Sequence, residues 1–568
     1  MARGGAPSST LGRGDMTDKI DAAVAGPRIA ERHPFWLIGW AALWMASLGN
    51  AALWRELAQL HLLDGGSGLA LGAGIGVLLV ALLVALLGLL AWRATLKPAL
   101  TLLLVVSALG THFMFTYHVV LDTTMVTNVL QTNPGEARDL MGPRFFATVL
   151  LLGLLPAVWV WRTPVRPLRW TRRAAQNAAL VLGSLAVAAV VVLASYQPFS
   201  SAMRNHHQVR YLANPLNVVH ALGRLAARPL QRDESVLLAL GEDAQRGPTY
   251  AVQARPPLLV LVVGETARSA NFSLNGYARP TTPALAAQNV VSFRNAWACG
   301  TSTAASLPCM FSHLGRSAFE SRSTNFENLL DVLQRAGLAV LWLDNQSGCK
   351  DVCARVPAQT AAVPGDPLCS GGECFDEIML RGLGQRIAAL APQQRARGVV
   401  LVMHPMGSHG PAYHKRSPAA FKRFMPECAS NVLSDCSTQE LVNAYDNTIS
   451  YTDHFLASTI TWLKARDGVA DTALVYVSDH GESLGENNLY LHGLPYAIAP
   501  DVQKHVPWIT WLSSGFERRS GTTMACLRRR ADTQVTHDNI FHSVLGLMDV
   551  RTSVYRRELD MHAVCAVP

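Results

Sequence analysis

The chain has 568 residues, of which 50% are hydrophobic and 16% charged, with a formal net charge of +9. That is too long for one domain and too apolar for an evenly composed soluble protein. The basic excess does not indicate nucleic acid as a partner. Much of it sits in one short loop, and no basic stripe interleaved with aromatics occurs in the C-terminal half.

Residues 1–33 are rich in Gly, Ala, Arg and Asp without periodicity and read as a disordered cytoplasmic tail. Five apolar stretches follow, at about 35–54, 69–92, 99–120, 145–161 and 178–195, within a predicted membrane domain of residues 34–196. A helix rises about 1.5 Å per residue, so about 20 apolar residues cross a hydrocarbon core roughly 30 Å thick. His112, Tyr117 and His118 interrupt the third stretch, and the first is too long and too late for a cleaved signal peptide.

Basic residues in short loops mark the cytoplasmic side. The loop before the fifth stretch carries Arg162, Arg166, Arg169, Arg172 and Arg173 without an acid, and the second loop carries Arg93 and Lys97. Arg55, Glu56 and Asp64 in the first loop, and Asp122, Glu136, Arg138 and Asp139 in the third, suit the outer side. The N-terminus is therefore expected inside, and everything after the fifth span outside. All ten cysteines lie after residue 298, which agrees, because disulfides persist in the periplasm and rarely in cytosol. No CxxC pair occurs to support a zinc ribbon.

Residues 197–256 form a polar connector whose stretch VRYLANPLNVVHALGRLA has the pattern of amphipathic helices lying on a membrane, with a plain solvated linker as the simpler alternative. From 257 to 568 the pattern changes. The runs PLLVLVVGE, AVLWLD, GVVLVMH and ALVYVSDHGE are short, apolar and rich in β-branched residues, and each ends in polar or ionisable groups. They predict an α/β domain with a central, mostly parallel sheet covered by helices on both faces. In open sheets of this kind, sites form beyond the carboxyl ends of the strands.

Three strand tails carry chemistry: Glu265; His404 with His409; and Asp479 with His480. Asp, Glu and His in one crevice ligate zinc or manganese. Adjacent Asp479 and His480 reach one ion if the chain turns at once, which Gly481 permits. Taken singly, Glu265 or Asp479 could equally cap a helix; their shared position at strand ends favours a metal site.

The segment ACGTSTAASLPCMFS places Thr301, Ser302 and Thr303 between Cys299 and Cys309. A bridge closing that loop, worth roughly 2 to 3 kcal/mol, would hold hydroxyls rigidly at the start of a helix. Zinc lowers the pKa of bound water from about 15.7 to about 7 and should act similarly on an alcohol, while a helix N-terminus offers donors to phosphate. A Ser/Thr-rich helix cap is the plainer explanation of the segment.

The motifs VVGETAR at 262–268, CGTSTAASLPCMFS at 299–312, MGSHGPAY at 406–413 and SDHGESLGENNLYLHG at 478–493 resemble those of the phosphoethanolamine transferases of the alkaline phosphatase superfamily, which include the mobile colistin-resistance enzymes. MVTNVLQTN at 125–133 extends the resemblance into the membrane part. The resemblance implies one tightly bound Zn2+ on Glu265, Thr303, Asp479 and His480, with Thr303 also the nucleophile. It places His409 and His492 near a second metal or the substrate phosphate, and Lys350 near the phosphoethanolamine pocket. Gln346 stands there where the family has an asparagine. It further implies disulfides joining Cys299 with Cys309, Cys349 with Cys353, Cys369 with Cys374 and Cys428 with Cys436, which leaves Cys526 and Cys565 as a fifth pair.

The implied reaction is a double displacement from phosphatidylethanolamine through Thr303 to a phosphate of lipid A. The outcome would be less negative surface charge and polymyxin resistance. The expected form is a monomer in the bacterial inner membrane with a periplasmic catalytic domain. Other acceptors for the same chemistry are lipopolysaccharide core heptose and a periplasmic glucan. A zinc phosphodiesterase or sulfatase would release product to water, but the sulfatase CxPxR-type motif is absent around Thr303. A membrane-tethered binding protein would need a degenerate site.

Overall fold

The structure, a computed structural model, describes residues 31–132, 134–231, 233–252 and 254–566. The tail expected at 1–33 thus lies outside the described residues as far as residue 30. Among the described residues, five helices are long and apolar enough to cross a membrane: α1 (Pro34–Gln59), α2 (Gly65–Leu89), α3 (Leu96–Thr116), α5 (Pro143–Arg162) and α6 (Trp170–Ala194). The short α4 (Thr123–Gln131) lies between α3 and α5. The third span stops at Thr116 rather than near 120, because Tyr117 caps it and His118 takes φ +56°, outside helical space.

Buried polar groups tie the spans to the connector. A short 3-10 turn, Leu48–Asn50, interrupts α1 and frees the Gly49 carbonyl. That carbonyl accepts from Asn214 Nδ2 at 2.8 Å and from Thr111 Oγ1 at 2.8 Å, and Asn214 Nδ2 also reaches the Ser107 carbonyl at 2.7 Å. Polar groups among apolar helices persist when they satisfy one another in this way. At the other end of the bundle, Lys97 donates to the carbonyls of Trp161 and Thr163, and Arg173 to that of Ala91, so these cations cap helix ends.

The connector continues as α7 (Tyr196–Asn205) and α8 (Leu216–Gln231). It joins the second half of the chain before residue 257. Asp233–Leu238 pairs with Thr324–Phe326, and Leu240 and Ala244 enter the core of that half.

The central sheet has eight strands: β1 (Pro257–Gly264), β2 (Val291–Trp297), β3 (Ala339–Asp344), β4 (Ala358–Thr360), β5 (Val399–His404), β6 (Asp471–Ser478), β7 (His505–Leu512) and β8 (Val535–Thr536). Their order is β8-β2-β7-β6-β1-β5-β3-β4, and only β7 runs against the rest. Along β1, Leu259, Leu261 and Val263 enter one core while Leu258, Val260 and Val262 enter the other. The strand reads as a continuous apolar run because both faces are covered. One core includes side chains of α10 (Leu329–Arg335) and α12 (Ile540–Leu547), and the other those of α11 (Thr438–Lys464). The helix α9 (Thr303–Met310) follows β2.

Five disulfides occur, joining Cys299–Cys309, Cys349–Cys353, Cys369–Cys374, Cys428–Cys436 and Cys526–Cys565.

Candidate active site and metal centre

Strand register builds the site. β1 and β6 stay paired to their last residues, Gly264 opposite Ser478, so Glu265 and Asp479 leave the sheet side by side. Next to them, β5 and β3 end level with each other, His404 opposite Asp344. Four ionisable groups thus meet at one edge, as the carboxyl-end rule requires.

Thr266 shows how tightly the edge is set. It takes φ +57°, unusual for a β-branched residue. Three hydrogen bonds hold it there: its N–H donates to Asp479 Oδ1 at 3.1 Å, its hydroxyl to Glu265 Oε1 at 2.6 Å, and its carbonyl accepts from Tyr445 at 2.7 Å. Strain of this kind survives only where neighbours over-determine it. Gly481 serves differently from expectation. Its backbone is not left-handed; instead a Cβ there would lie 2.0 Å from the Val502 carbonyl oxygen, so close chain approach demands the glycine.

Thr303 opens α9 at the end of a braced loop. Ala298 N–H donates to the Lys504 carbonyl at 2.7 Å, Cys299 N–H to His537 Nδ1 at 3.0 Å, and Gly300 N–H to Ser306 Oγ at 2.9 Å. His537 Nε2 in turn meets the Ser478 carbonyl at 3.0 Å, tying this loop to β6. Burial pushes His537 down to about 3, so it is a neutral strut.

Thr303 Oγ1 lies 3.2 Å from each oxygen of Glu265 and 3.4 Å from His480 Nε2. The ligand-capable atoms of Glu265, Asp479 and His480 all fall within 4.8 Å of one another, and all three residues are fully buried. His480 Nδ1 meets the Gly481 carbonyl at 2.9 Å, which makes it the protonated nitrogen and leaves the Nε2 lone pair facing the cluster. Asp479 Oδ2 is buried without a hydrogen-bond partner.

The electrostatics fit a cation. Burial, then the charge of Glu265, pushes Asp479 well above the usual carboxylate range. Burial, then His492, pushes His480 down to about 3. Burial also opposes ionisation of Glu265, yet the nearby His404, His409 and His480 hold it below its ordinary range. Two close carboxylates and one neutral imidazole, with an orphan oxygen among them, are the donor set that a zinc ion satisfies.

Around this cluster, His404 Nδ1 meets Asp344 Oδ1 at 2.9 Å, and its Nε2 lies 3.8 Å from Glu265 Oε2, an ion-pair separation. His404 therefore stands behind Glu265, as a neighbour of the cluster. Gln346 Nε2 donates to Glu265 Oε2 at 2.9 Å. The His492 ring lies against that of His480, tilted by 45° with ring centres 4.2 Å apart, and the His409 ring centre lies 5.9 Å from that of His492. Burial opposes but Glu482 outweighs it, raising His492 to about 9.

Gln346, His409 and His492 open on a cavity of about 430 Å³ that both halves of the chain line. Phe113, Tyr117 and Met125 form its membrane-side wall, and Thr303, Lys350 and His492 its sheet-side wall. Leu494 and Ala499 of the α/β half are buried in the apolar cluster of the membrane half.

Family models agree with both halves. Residues 79–230 match the phosphoethanolamine transferase EptA/EptB model, and residues 257–550 the sulfatase model. Phosphoethanolamine transferase EptA of Escherichia coli (strain K12) is 38% identical over 551 residues, covering 95% of this chain and 98% of that protein. The chain belongs to the phosphoethanolamine transferase family. Phosphatidylethanolamine transferase Mcr-1 of Escherichia coli is 37% identical, covering 91% of this chain and 95% of its own. The integral membrane lipooligosaccharide phosphoethanolamine transferase A of Neisseria meningitidis shares the architecture, with TM-score 0.88 and 35% identity over 95% of this chain and all of that one.

In this member of the phosphoethanolamine transferase family, the structure brings Glu265, Thr303, Asp479 and His480 together, with His409, His492, Lys350 and Gln346 on the cavity side. Sequence reasoning missed the flanking groups. Asp344 ends a strand already recognised, and Glu482 lies three residues beyond Asp479, so position at or just after a strand end would have found both.

Proposed function

We propose that the chain transfers phosphoethanolamine from phosphatidylethanolamine to a phosphate of lipid A, through a phosphoethanolamine adduct on Thr303. The observation that carries this reading is the Thr303 hydroxyl, 3.2 Å from both Glu265 oxygens, at the foot of a cavity whose far wall is apolar membrane helix. An amphipathic phospholipid fits such a cavity, head toward the sheet and tails toward the spans. The names of the Mcr-1 and meningococcal relatives, a phosphatidylethanolamine transferase and a lipooligosaccharide phosphoethanolamine transferase, support donor and acceptor.

Glu265, Asp479, His480 and Thr303 would hold one Zn2+. When bound there, zinc supplies the Lewis acidity that lowers the pKa of an alcohol and neutralises charge on phosphoryl oxygens. The chain's own groups do the rest. Glu265 orients Thr303 Oγ1 toward the cavity, and Gln346 fixes the Glu265 carboxylate. Lys350, which donates to Ser347 Oγ at 3.2 Å, presents a cation to the phosphate. His409 and His492 are placed to protonate the departing glyceride oxygen. The apolar membrane-side wall of Phe113, Tyr117 and Met125 limits water on that side, which favours transfer over hydrolysis.

The accompanying organisation is a membrane domain over 34–196, a connector over 197–256 and a zinc-dependent catalytic domain over 257–568. We place it as a monomer in the inner membrane, N-terminus cytoplasmic and catalytic domain periplasmic. Purified protein given a fluorescent phosphatidylethanolamine should release diacylglycerol and gain mass on the peptide bearing Thr303, and Thr303→Ala should abolish both. Mass on a different residue would overturn the mechanism. Unmodified lipid A in a polymyxin-sensitive host, with the label on heptose or glucan, would overturn the acceptor.

A further inference from the structure

We infer that Ser302 is a further catalytic residue, its hydroxyl donating to a non-bridging phosphoryl oxygen as the headgroup moves onto Thr303. The inference rests on the proposed attack by Thr303.

Ser302 is the N-cap of α9, with φ −155° and ψ 156°. A serine in that place normally accepts a hydrogen bond from an N–H of the first turn, satisfying one of the donors that every helix start leaves open. Elsewhere in this chain Asn328, Ser437, Ser513, Thr523 and Thr536 all do so. Ser302 makes no such bond. It is only 1% exposed, its Oγ is buried with no hydrogen-bond partner, and the residue lines the cavity beside Thr303.

A buried hydroxyl without a partner is unfavourable, and folded proteins keep few of them. Its neighbours in the loop are engaged elsewhere: Gly300 N–H is bonded to Ser306 Oγ, and Thr301 Oγ1 donates to the Leu494 carbonyl at 2.6 Å. A hydroxyl left open in a residue that lines the cavity is available to a ligand there, and the chemistry of that ligand follows from the neighbours. The first two N–H groups of α9, on Thr303 and Ala304, have by position no carbonyl to bind within the helix. Together with Ser302 Oγ–H they give the start of α9 three donors, suited to an oxygen that only accepts. A phosphoryl oxygen gains negative charge as Thr303 attacks, so the hydroxyl bonds most strongly in the transition state.

The test uses the full-length zinc-loaded enzyme in detergent with fluorescent phosphatidylethanolamine. Ser302→Ala should lower kcat about 100-fold while KM moves less than about twofold. Zinc content should not change, and Tm should stay level or rise, because an unsatisfied hydroxyl has been removed. Ser302→Thr, which keeps the hydroxyl, should recover activity to within about tenfold of the parent. A Ser302→Ala enzyme with unaltered kcat would overturn the inference. So would a lowered Tm with activity lost in both variants, since that is what a purely structural cap would give. Thr303→Ala run alongside separates the two ideas: activity retained there overturns the nucleophile, whereas activity lost there but kept in Ser302→Ala overturns only the role of Ser302.

Discussion

The strand-end cluster and the cavity wall face each other across Thr303 and are built in opposite ways. Glu265, Asp479 and His480 are fully buried, and Glu265 and Asp479 directly follow paired strands whose register sets them to within a residue. Lys350, Gln346, His409 and His492 come from loops, and Lys350 even needs φ +46° to reach its place. Parallel strands are a rigid rule and loops a local bargain of hydrogen bonds, so the first group is suited to hold an ion and the second to accommodate a headgroup.

That contrast breaks if the two groups respond alike to mutation. Asp479→Asn removes a charge from the cluster and should eliminate both zinc retention and activity, by more than about a thousandfold, as read by metal analysis and headgroup release. Zinc retained at one per chain would show that the cluster does not need its second carboxylate. Lys350→Ala should cost about 10- to 100-fold in kcat/KM with zinc content untouched. If the metal were lost there too, wall and cluster would be a single unit.

Acid sensitivity sharpens the contrast more gently. Burial pushes His537 down to about 3 and His562 down to about 4, so both stay neutral in the fold but protonate in the unfolded chain below about 6.5. Folded pKa values below the unfolded ones mean stability falls as pH falls from about 6.5 toward 4, by up to about 1.4 kcal/mol per pH unit for each histidine. His562→Phe, away from the cluster, should flatten that slope by about one histidine's share in a Tm series from pH 7 to 5. An unchanged slope would mean that His562 titrates normally.

Much of this was legible in the chain itself. The five apolar stretches and the apolar strands ending in Glu265, His404 and Asp479 announce spans and a doubly covered sheet, because burial on both faces leaves no alternation to misread. Less legible were groups whose roles depend on distant partners. His537 matters because β8 pairs with β2 and brings it to Cys299, and Asn214 because α1 opens at Gly49. Neither pairing leaves a local pattern. The end of the third span was misplaced for a related reason, since hydrophobicity continues through Val119 and Val120 while the backbone turns at His118.

Leu494 and Ala499, buried in the apolar cluster of the membrane half, carry a consequence for any attempt to work with half the molecule. Cut free of its helices, the α/β half would keep its ion-holding cluster but expose a greasy flank and lose the wall of Phe113 and Tyr117 beside Thr303. Solvent would then reach the proposed Thr303 adduct directly, and what is a transferase in the bilayer would behave in solution as a slow phosphodiesterase, measurable as free phosphoethanolamine.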